Sequence, residues 1–353
     1  MSSKERTEKS LFLKISSRPP PLNLLRNRYT FFSTCIDFYS HINLVKILEK
    51  TEKIWMNGKF VDWDDAKVHV LTHALHYGTG IFEGIRCYNT DKGPAIFRVK
   101  EHFQRFLNSA KLCLMDLEYS VDEFIGIARE LLKINKLNEG YIRPCAFYGY
   151  GEIGIKALSN PIDIAMACWP WGTYLGEEAL EKGVRCKISS WVRIDSRMAP
   201  PLAKAAANYL NSFLAKREAI DCGYDEAILL NSNGYVSEGP GANIFIVKGN
   251  RVMTPPPSAG ALRGITADAI MQIIQDLGFE LVSQQNIIRE DLFLADEAFL
   301  TGTAVEVTPI REIDKRVIGS GSGRGPITEK IQKIFFDTVK GNIDKYYDWL
   351  TFV

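Results

Sequence analysis

No apolar run in this 353-residue chain reaches the ~18 residues that would span a bilayer. The richest stretch, Ile164 to Trp171, is short and carries Pro170, so no membrane partner is expected. Charge of one sign is also lacking: Lys+Arg 43 nearly balance Asp+Glu 42, for a formal net charge of +1. That leaves no broad basic surface for non-specific nucleic-acid binding. Gly 27 and Pro 15 are too few for a collagen-like or linker-like chain, and 46% hydrophobic residues are too many for disorder. The seven cysteines (Cys35, Cys87, Cys113, Cys145, Cys168, Cys186, Cys222) form no C-x-x-C. An odd, dispersed set argues against a disulfide framework and against zinc, and fits reduced thiols in a cytoplasmic setting. Histidines are few. His69, His73 and His76 could share a helix face, but no carboxylate stands at a suitable spacing for a third ligand. Structural histidines are expected, and no metal.

What is present is a globular pattern behind an atypical start. The length suggests about two domains. Residues 1–50 carry nine Lys/Arg against four Asp/Glu, a triple proline at Pro19 to Pro21, and no sustained periodicity. They are expected to be a disordered N-terminal extension. Import into an organelle through them stays open, although Glu5 and Glu8 suit a transit peptide poorly.

From Lys53 onward, Ile54 to Met56 and Lys59 to Val61 read as strands around an Asn57-Gly58 turn. Helical spacing marks 101–115 and 121–137, and strands are expected at Tyr141 to Tyr148 and Ile162 to Ala167. A small α+β domain over 51–170 would then lead through a linker at 171–179 into a large domain over 180–353. The second half reads as a strand from Val184 to Val192, a helix from about Ala206 to Ala219, and strands at Glu226 to Leu230 and Asn243 to Val247. A helix opens near Gly264, a strand precedes Thr301, and the last helix starts near Ile327. Strands and helices mix without a βαβ rhythm or an internal repeat, so the fold class is α+β.

Four segments could carry chemistry, each with a plainer alternative. Lys204 stands among small apolar residues after Pro200-Pro201. Burial among such neighbours favours the neutral amine, the form that makes a Schiff base; the alternative is an exposed lysine at a helix start. Tyr209 could place a hydroxyl on the same side. Glu238 ends a strand-like run before Gly239 and Gly241, and could bind a cationic ring nitrogen or simply occupy a solvated turn. Gly264, Ile265 and Thr266 open a helix whose free N–H groups suit a phosphate, with Thr266 as an ordinary cap the alternative. Gly302-Thr303-Ala304 follows an apolar strand as a second possible anion nest. The Gly319 to Gly325 stretch lacks the order of a phosphate-binding loop and reads as a surface loop.

Taken in order, the motifs resemble one family. His73 to Gly78, Phe82-Glu83-Gly84-Ile85-Arg86-Cys87-Tyr88, Tyr141-Ile142-Arg143-Pro144, Trp169-Pro170-Trp171-Gly172, Ala203-Lys204 through Leu210, Ser237-Glu238-Gly239, Gly264-Ile265-Thr266 and Thr301 to Pro309 are similar to branched-chain amino-acid aminotransferases. These are class IV pyridoxal-phosphate enzymes. The resemblance runs from about residue 53 to the C-terminus. Pro240 and Val305 stand where the family often has alanine, and residues 1–50 have no counterpart.

The resemblance implies a two-domain fold-type IV architecture, like that of D-amino-acid aminotransferases, and pyridoxal 5'-phosphate as cofactor. Lys204 matches the lysine that carries the cofactor, Glu238 the acid at the pyridine nitrogen, and Tyr209 the partner of the ring hydroxyl. Arg105, Gly264, Ile265, Thr266 and Thr303 match the phosphate site, and Leu262 would pack on the ring. Tyr141 with Thr303 and Ala304 would receive the α-carboxylate. Phe82, Tyr77, Trp171 and Tyr174 would wall an apolar pocket in which Gly84 leaves room. Arg143 would answer glutamate's side-chain carboxylate, which is costly to bury unpaired. Ile155 would reach a neighbouring subunit's pocket, which implies a homodimer or a dimer-based hexamer. The implied reaction moves the amino group of Leu, Ile or Val to 2-oxoglutarate, giving 2-oxo acids and Glu. It is the last step of branched-chain amino-acid biosynthesis or the first of degradation. Aminodeoxychorismate lyases and D-amino-acid aminotransferases share the lysine and the glutamate and form the alternative.

Overall fold

The computed structural model describes residues 48–156, 159–172, 175–321 and 323–353. The expected extension and Tyr174 therefore lie outside the described residues, the former except for its last three positions.

In chain order, the first half holds β1 (Lys53–Met56), β2 (Lys59–Asp62), α1 (His73–Tyr77), β3 (Gly80–Phe82), β4 (Ile85–Thr90), β5 (Gly93–Phe97), α2 (Val99–Leu112), α3 (Val121–Ile134), β6 (Gly140–Tyr148) and β7 (Ile162–Trp169). Then come α4 (Glu177–Lys182), β8 (Val184–Ile188), α5 (Asn208–Asp221), β9 (Glu226–Leu230), β10 (Val236–Glu238), β11 (Asn243–Lys248) and β12 (Arg251–Met253). The last are α6 (Ile265–Asp276), β13 (Glu280–Val282), α7 (Arg289–Phe293), β14 (Glu297–Gly302), β15 (Glu306–Ile313), β16 (Arg316–Val317), α8 (Pro326–Val339) and β17 (Leu350–Phe352).

Among the described residues these strands make two sheets. The first has the order β17-β5-β4-β6-β7-β1-β2, with β3 also on β6; the second has the order β10-β9-β8-β15-β14-β11-β12-β13, with β16 on β15. The turn between β1 and β2 forms as the sequence suggests. Asn57 and Gly58 both take positive φ (47° and 84°), the two-residue geometry that matches strand twist, and Met56 pairs Lys59. Helix α3 opens on a reciprocal cap, Ser120 with Glu123. The C-terminal strand β17, read with the second half of the sequence, pairs with β5 of the first sheet.

One core lies under the first sheet, where Phe103 stacks on Phe124 at 5.3 Å and Phe106 meets it edge-on. A second core joins the sheets. Tyr88 and Phe97 from the first pack with Phe245, Phe299, Ile270 and Phe335, and the Phe97 and Phe335 rings lie 5.7 Å apart. This contact fixes the two sheets against each other, so side chains from both can face one cavity.

Three expectations need correction. The strand from Val184 stops at Ile188: the Ser189 N–H still reaches Ile228 O, but the Ser190 N–H turns to the Glu218 carboxylate, which also accepts from Ser189 Oγ. The helix expected from Ala206 begins at Asn208. The Ala206 N–H is given to Gly80 O, and the Lys204 carbonyl accepts from the Phe82 N–H, so those groups serve β3 and not a helical turn. Thr266 is not the cap of α6: Gly264 holds that position and Thr266 is the second helical residue.

Candidate active site

A cavity of about 420 Å³ is lined from both sheets. Its floor begins at β3. One edge of that strand pairs with β6; the other receives residues 204–206, with a bridge between Ile81 and Ala205. The Lys204 N–H also donates to Ser109 Oγ at 3.0 Å. The lysine is thus fixed at its backbone while its side chain faces the cavity. Its Nζ lies 3.0 Å from Tyr209 Oη and 5.3 Å from the Phe82 ring centre. The Phe82 and Tyr209 rings pack at 4.6 Å.

Opposite stands Glu238, at the end of β10 and 5% exposed. Arg193 Nη2 lies 2.8 Å from its Oε1, and the Leu262 N–H donates to its Oε2 at 3.0 Å. Burial pushes the Glu238 carboxyl above the usual carboxylate range, against the pull of the Arg193 guanidinium and the Leu262 N–H. Asn243 Nδ2 donates to Leu262 O at 2.9 Å and approaches Glu238 Oε2 at 3.5 Å, tying the acid to the segment before α6. Arg193 is itself buried and reaches Ser212 Oγ and Gly260 O.

A third wall is the start of α6. Gly264, Ile265 and Thr266 line the cavity there, and no side chain caps the helix, so its first N–H groups and the positive end of its dipole are available to an anion. Arg105, on α2, joins them by donating from Nη1 to Arg263 O at 2.8 Å. Its other edge is held by Glu83, from Nε at 2.6 Å and Nη2 at 2.9 Å. Burial would raise the Glu83 carboxyl, but Arg105 and His102 outweigh it and hold the group well below the usual carboxylate range.

The last wall comes from β6 and the β14–β15 turn. Tyr141 and Arg143 are two apart on one strand and so share a face. The Arg143 guanidinium lies over Phe82, Tyr141 and Trp169 at 4.9, 5.3 and 5.9 Å. Its Nε is buried without a hydrogen-bond partner, and among the described residues no carboxylate pairs with it. Trp171 packs against Tyr141 in a tilted arrangement, ring centres 4.9 Å apart. Thr303 and Ala304 face the cavity from the turn, beside Thr301, whose buried Oγ1 is also unpartnered.

The cavity therefore gathers Lys204, Tyr209, Glu238, Leu262, Arg105, Gly264, Ile265, Thr266, Thr303, Ala304, Phe82, Tyr141, Arg143 and Trp171. Gly84 lies behind Tyr141 and does not line it; a β-carbon there would overlap the Tyr141 hydroxyl. Tyr77 packs against His73 at 4.4 Å and is half exposed. Ile155 is 92% exposed. Neither reaches this chain's cavity.

Four participants escaped sequence reasoning. Arg193 and Asn243 carry no periodic signal, and nothing in a linear reading ties them to Glu238. Glu83 had a signal, a lone carboxylate within the apolar run Gly80 to Ile85, and His102 is its helix partner. Chemically, the site offers an amine, a buried acid and an anion cradle, arranged around one space. An aromatic ring bearing an aldehyde, a basic ring nitrogen and a phosphate fits that donor set, because each of its groups would meet a complementary one: the aldehyde the amine, the ring nitrogen the buried acid, and the phosphate the uncapped helix start beside Arg105.

Comparison with known proteins agrees. The model of the class IV amino-transferases matches residues 80–313, and the chain belongs to that family. Among its relatives, the branched-chain-amino-acid aminotransferase of Escherichia coli strain K12 is 46% identical over 303 residues, covering 86% of this chain and 97% of that one. The corresponding protein of Pseudomonas aeruginosa strain PAO1 is 46% identical over 300 residues, covering 85% and 97%. The crystal structure of the Escherichia coli enzyme superposes with a TM-score of 0.83 at 46% identity, covering 85% of this chain and 99% of that one. That of the Thermobaculum terrenum branched-chain amino acid aminotransferase, in its PLP-bound holo form, gives 0.79 at 35% identity, covering 86% and 98%. The mixed helix and sheet architecture is thus the class IV aminotransferase fold.

Proposed function

We propose that this chain is a branched-chain-amino-acid transaminase that binds pyridoxal 5'-phosphate in the cavity and moves the amino group of Leu, Ile or Val to 2-oxoglutarate. One observation carries the reading: Lys204 Nζ, the buried Glu238 carboxylate and the uncapped start of α6 line a single space. The cofactor, when bound, supplies an aldehyde that condenses with amines and a cationic ring that draws electrons from the substrate's α-carbon.

The chain's residues supply the rest. Lys204 holds the cofactor and, once displaced by the substrate amine, carries the α-proton at Nζ. Tyr209, 3.0 Å from that amine, orients it and meets the ring hydroxyl. Glu238, whose carboxyl burial raises and the Arg193 guanidinium pulls back down, holds the ring nitrogen's proton. Arg105, Gly264, Ile265, Thr266 and Thr303 anchor the phosphate, and Leu262 packs on the ring. Tyr141 and the Thr303–Ala304 turn receive the α-carboxylate. Phe82 and Trp171 bury the branched side chain, and Arg143 pairs with the second carboxylate of glutamate.

A homo-oligomer belongs to the same reading. Val70, Leu71, Leu75, Tyr150, Ile153 and Ile155 are exposed apolar side chains. Their two segments are tied together by a Thr72–Tyr150 bridge and by His73 Nε2 to Gly154 O at 2.9 Å. A patch of this kind marks an interaction surface; covering it with a second copy would let Ile155 reach the neighbour's pocket. A cytoplasmic location, expected from the dispersed cysteines, goes with this reading. The lyase and D-amino-acid alternatives are not favoured, since the relatives above are branched-chain enzymes.

The test is a transamination assay across amino donors with 2-oxoglutarate, run alongside Lys204→Ala. Turnover with Leu, Ile and Val that disappears in the variant supports the reading. Turnover only with D-amino acids, or retained steady-state turnover in Lys204→Ala, overturns it.

A further inference from the structure

We propose that Glu83, supported by His102, is a positioning residue that fixes Arg105 for the cofactor phosphate and sets this chain's preference for phosphorylated over unphosphorylated cofactor. The inference rests on the reading of Arg105 as a phosphate anchor and adds the groups that make it one.

Glu83 is 0% exposed and does not line the cavity, so it cannot meet cofactor or substrate itself. Its carboxylate is nonetheless fully employed. Oε1 accepts from Arg105 Nε at 2.6 Å, and Oε2 accepts from Arg105 Nη2 at 2.9 Å, from His102 Nδ1 at 2.8 Å and from the Gly84 N–H at 3.1 Å. Bidentate pairing fixes the guanidinium plane as well as its place. It occupies the Nε–Nη2 edge of Arg105 and leaves Nη1 directed at Arg263 O, 2.8 Å away, immediately before the start of α6. The backbone holds Glu83 in turn, through its N–H to Pro144 O at 2.9 Å.

A long arginine without this lock would have to order its side chain each time an anion binds, giving up rotamer freedom on every binding event. With the lock, that ordering is complete before the anion arrives. A phosphate then meets a donor already aimed beside the N–H groups of Ile265 and Thr266. An unphosphorylated ring gains nothing from the arrangement, and that asymmetry makes the role measurable.

The experiment titrates the full-length chain, freed of cofactor, with pyridoxal phosphate and separately with pyridoxal, following visible absorbance, and compares dissociation constants. Glu83→Gln keeps the shape and removes the charge. It should weaken pyridoxal phosphate by about tenfold or more, the scale of a charge-assisted hydrogen bond, and leave pyridoxal nearly unchanged. Arg105→Lys should show the same selective loss, and the double variant should lose no more than the worse single one. Equal losses for both ligands, or an unchanged pyridoxal phosphate constant, in Glu83→Gln overturn the positioning role. Selective loss in Arg105→Lys alone overturns this inference but keeps Arg105 as an anchor, whereas no selective loss in Arg105→Lys overturns the anchor reading itself. If Glu83→Gln does not fold, Glu83→Asp decides: it keeps the charge on a shorter reach, and a selective loss supports the role while equal losses overturn it.

Discussion

Arg193 Nη2 lies 2.8 Å from Glu238 Oε1, and both side chains are buried. Burial pushes the Glu238 carboxyl upward and Arg193 is the nearest charge opposing it. Arg193→Met should therefore leave a buried carboxylate without its counter-charge and raise the group further. Activity that needs the anion is lost as pH falls through the group's pKa, so the acid limb of the kcat profile should move to higher pH. Stability carries the matching sign. A carboxyl raised in the folded state costs stability once pH exceeds its unfolded pKa, so the variant should lose more stability than the wild type between acid and neutral pH. An unmoved acid limb would remove Arg193 from this role.

Gly84 lies against Tyr141 so closely that a β-carbon would overlap the phenol hydroxyl. Gly84→Ala should displace Tyr141, which sits on an inner strand and cannot yield without disturbing its ring contacts with Trp169 and Trp171. Displacements near 1 Å at a substrate-positioning group cost up to about a hundredfold in rate. The expected outcome is a fall in kcat/KM for both half-reactions with little change in cofactor affinity. Unaltered kinetics would mean that Tyr141 does not hold the shared α-carboxylate.

The outcomes separate what a linear reading finds from what it cannot. The Asn57-Gly58 turn and helices α2, α3 and α6 were legible because turn chemistry and apolar spacing are local. Lys204, Glu238 and the α6 start were legible as types in suggestive settings, and ordered motifs raised them from weak signals to a site. Arg193 was not, because its partner Glu238 lies far along the chain and only the fold brings them together. The early end of β8 and the late start of α5 share one cause. Backbone groups at 204–206, the Ser189 hydroxyl and the Ser190 N–H found partners distant in sequence, Gly80, Phe82 and Glu218, which no local propensity registers.

Ile155 is 92% exposed within an apolar surface that includes Leu75 and Ile153. Replacing it with Glu would place a charge where burial against a second copy is proposed, at a cost of several kcal/mol. Ile155→Glu should weaken self-association by at least about tenfold in sedimentation equilibrium, and it should slow the leucine half-reaction if the side chain completes a neighbour's pocket. A wild-type chain that is monomeric and fully active at micromolar concentration would end this proposal.

Arg143 sits over three aromatic rings with its Nε unpartnered, a cation prepared for an anion that the described residues do not provide. Leucine needs only burial from the pocket, worth about 1.5–3 kcal/mol for its side chain. Glutamate brings a carboxylate into the same space, and the planar guanidinium fork suits it. Arg143→Ala should slow the glutamate half-reaction by roughly a hundredfold, the scale of an unpaired buried charge, and affect leucine far less. Single-turnover spectra of the bound cofactor can follow each half-reaction separately. Equal losses for the two substrates would instead assign Arg143 to the shared α-carboxylate or to the aromatic stack.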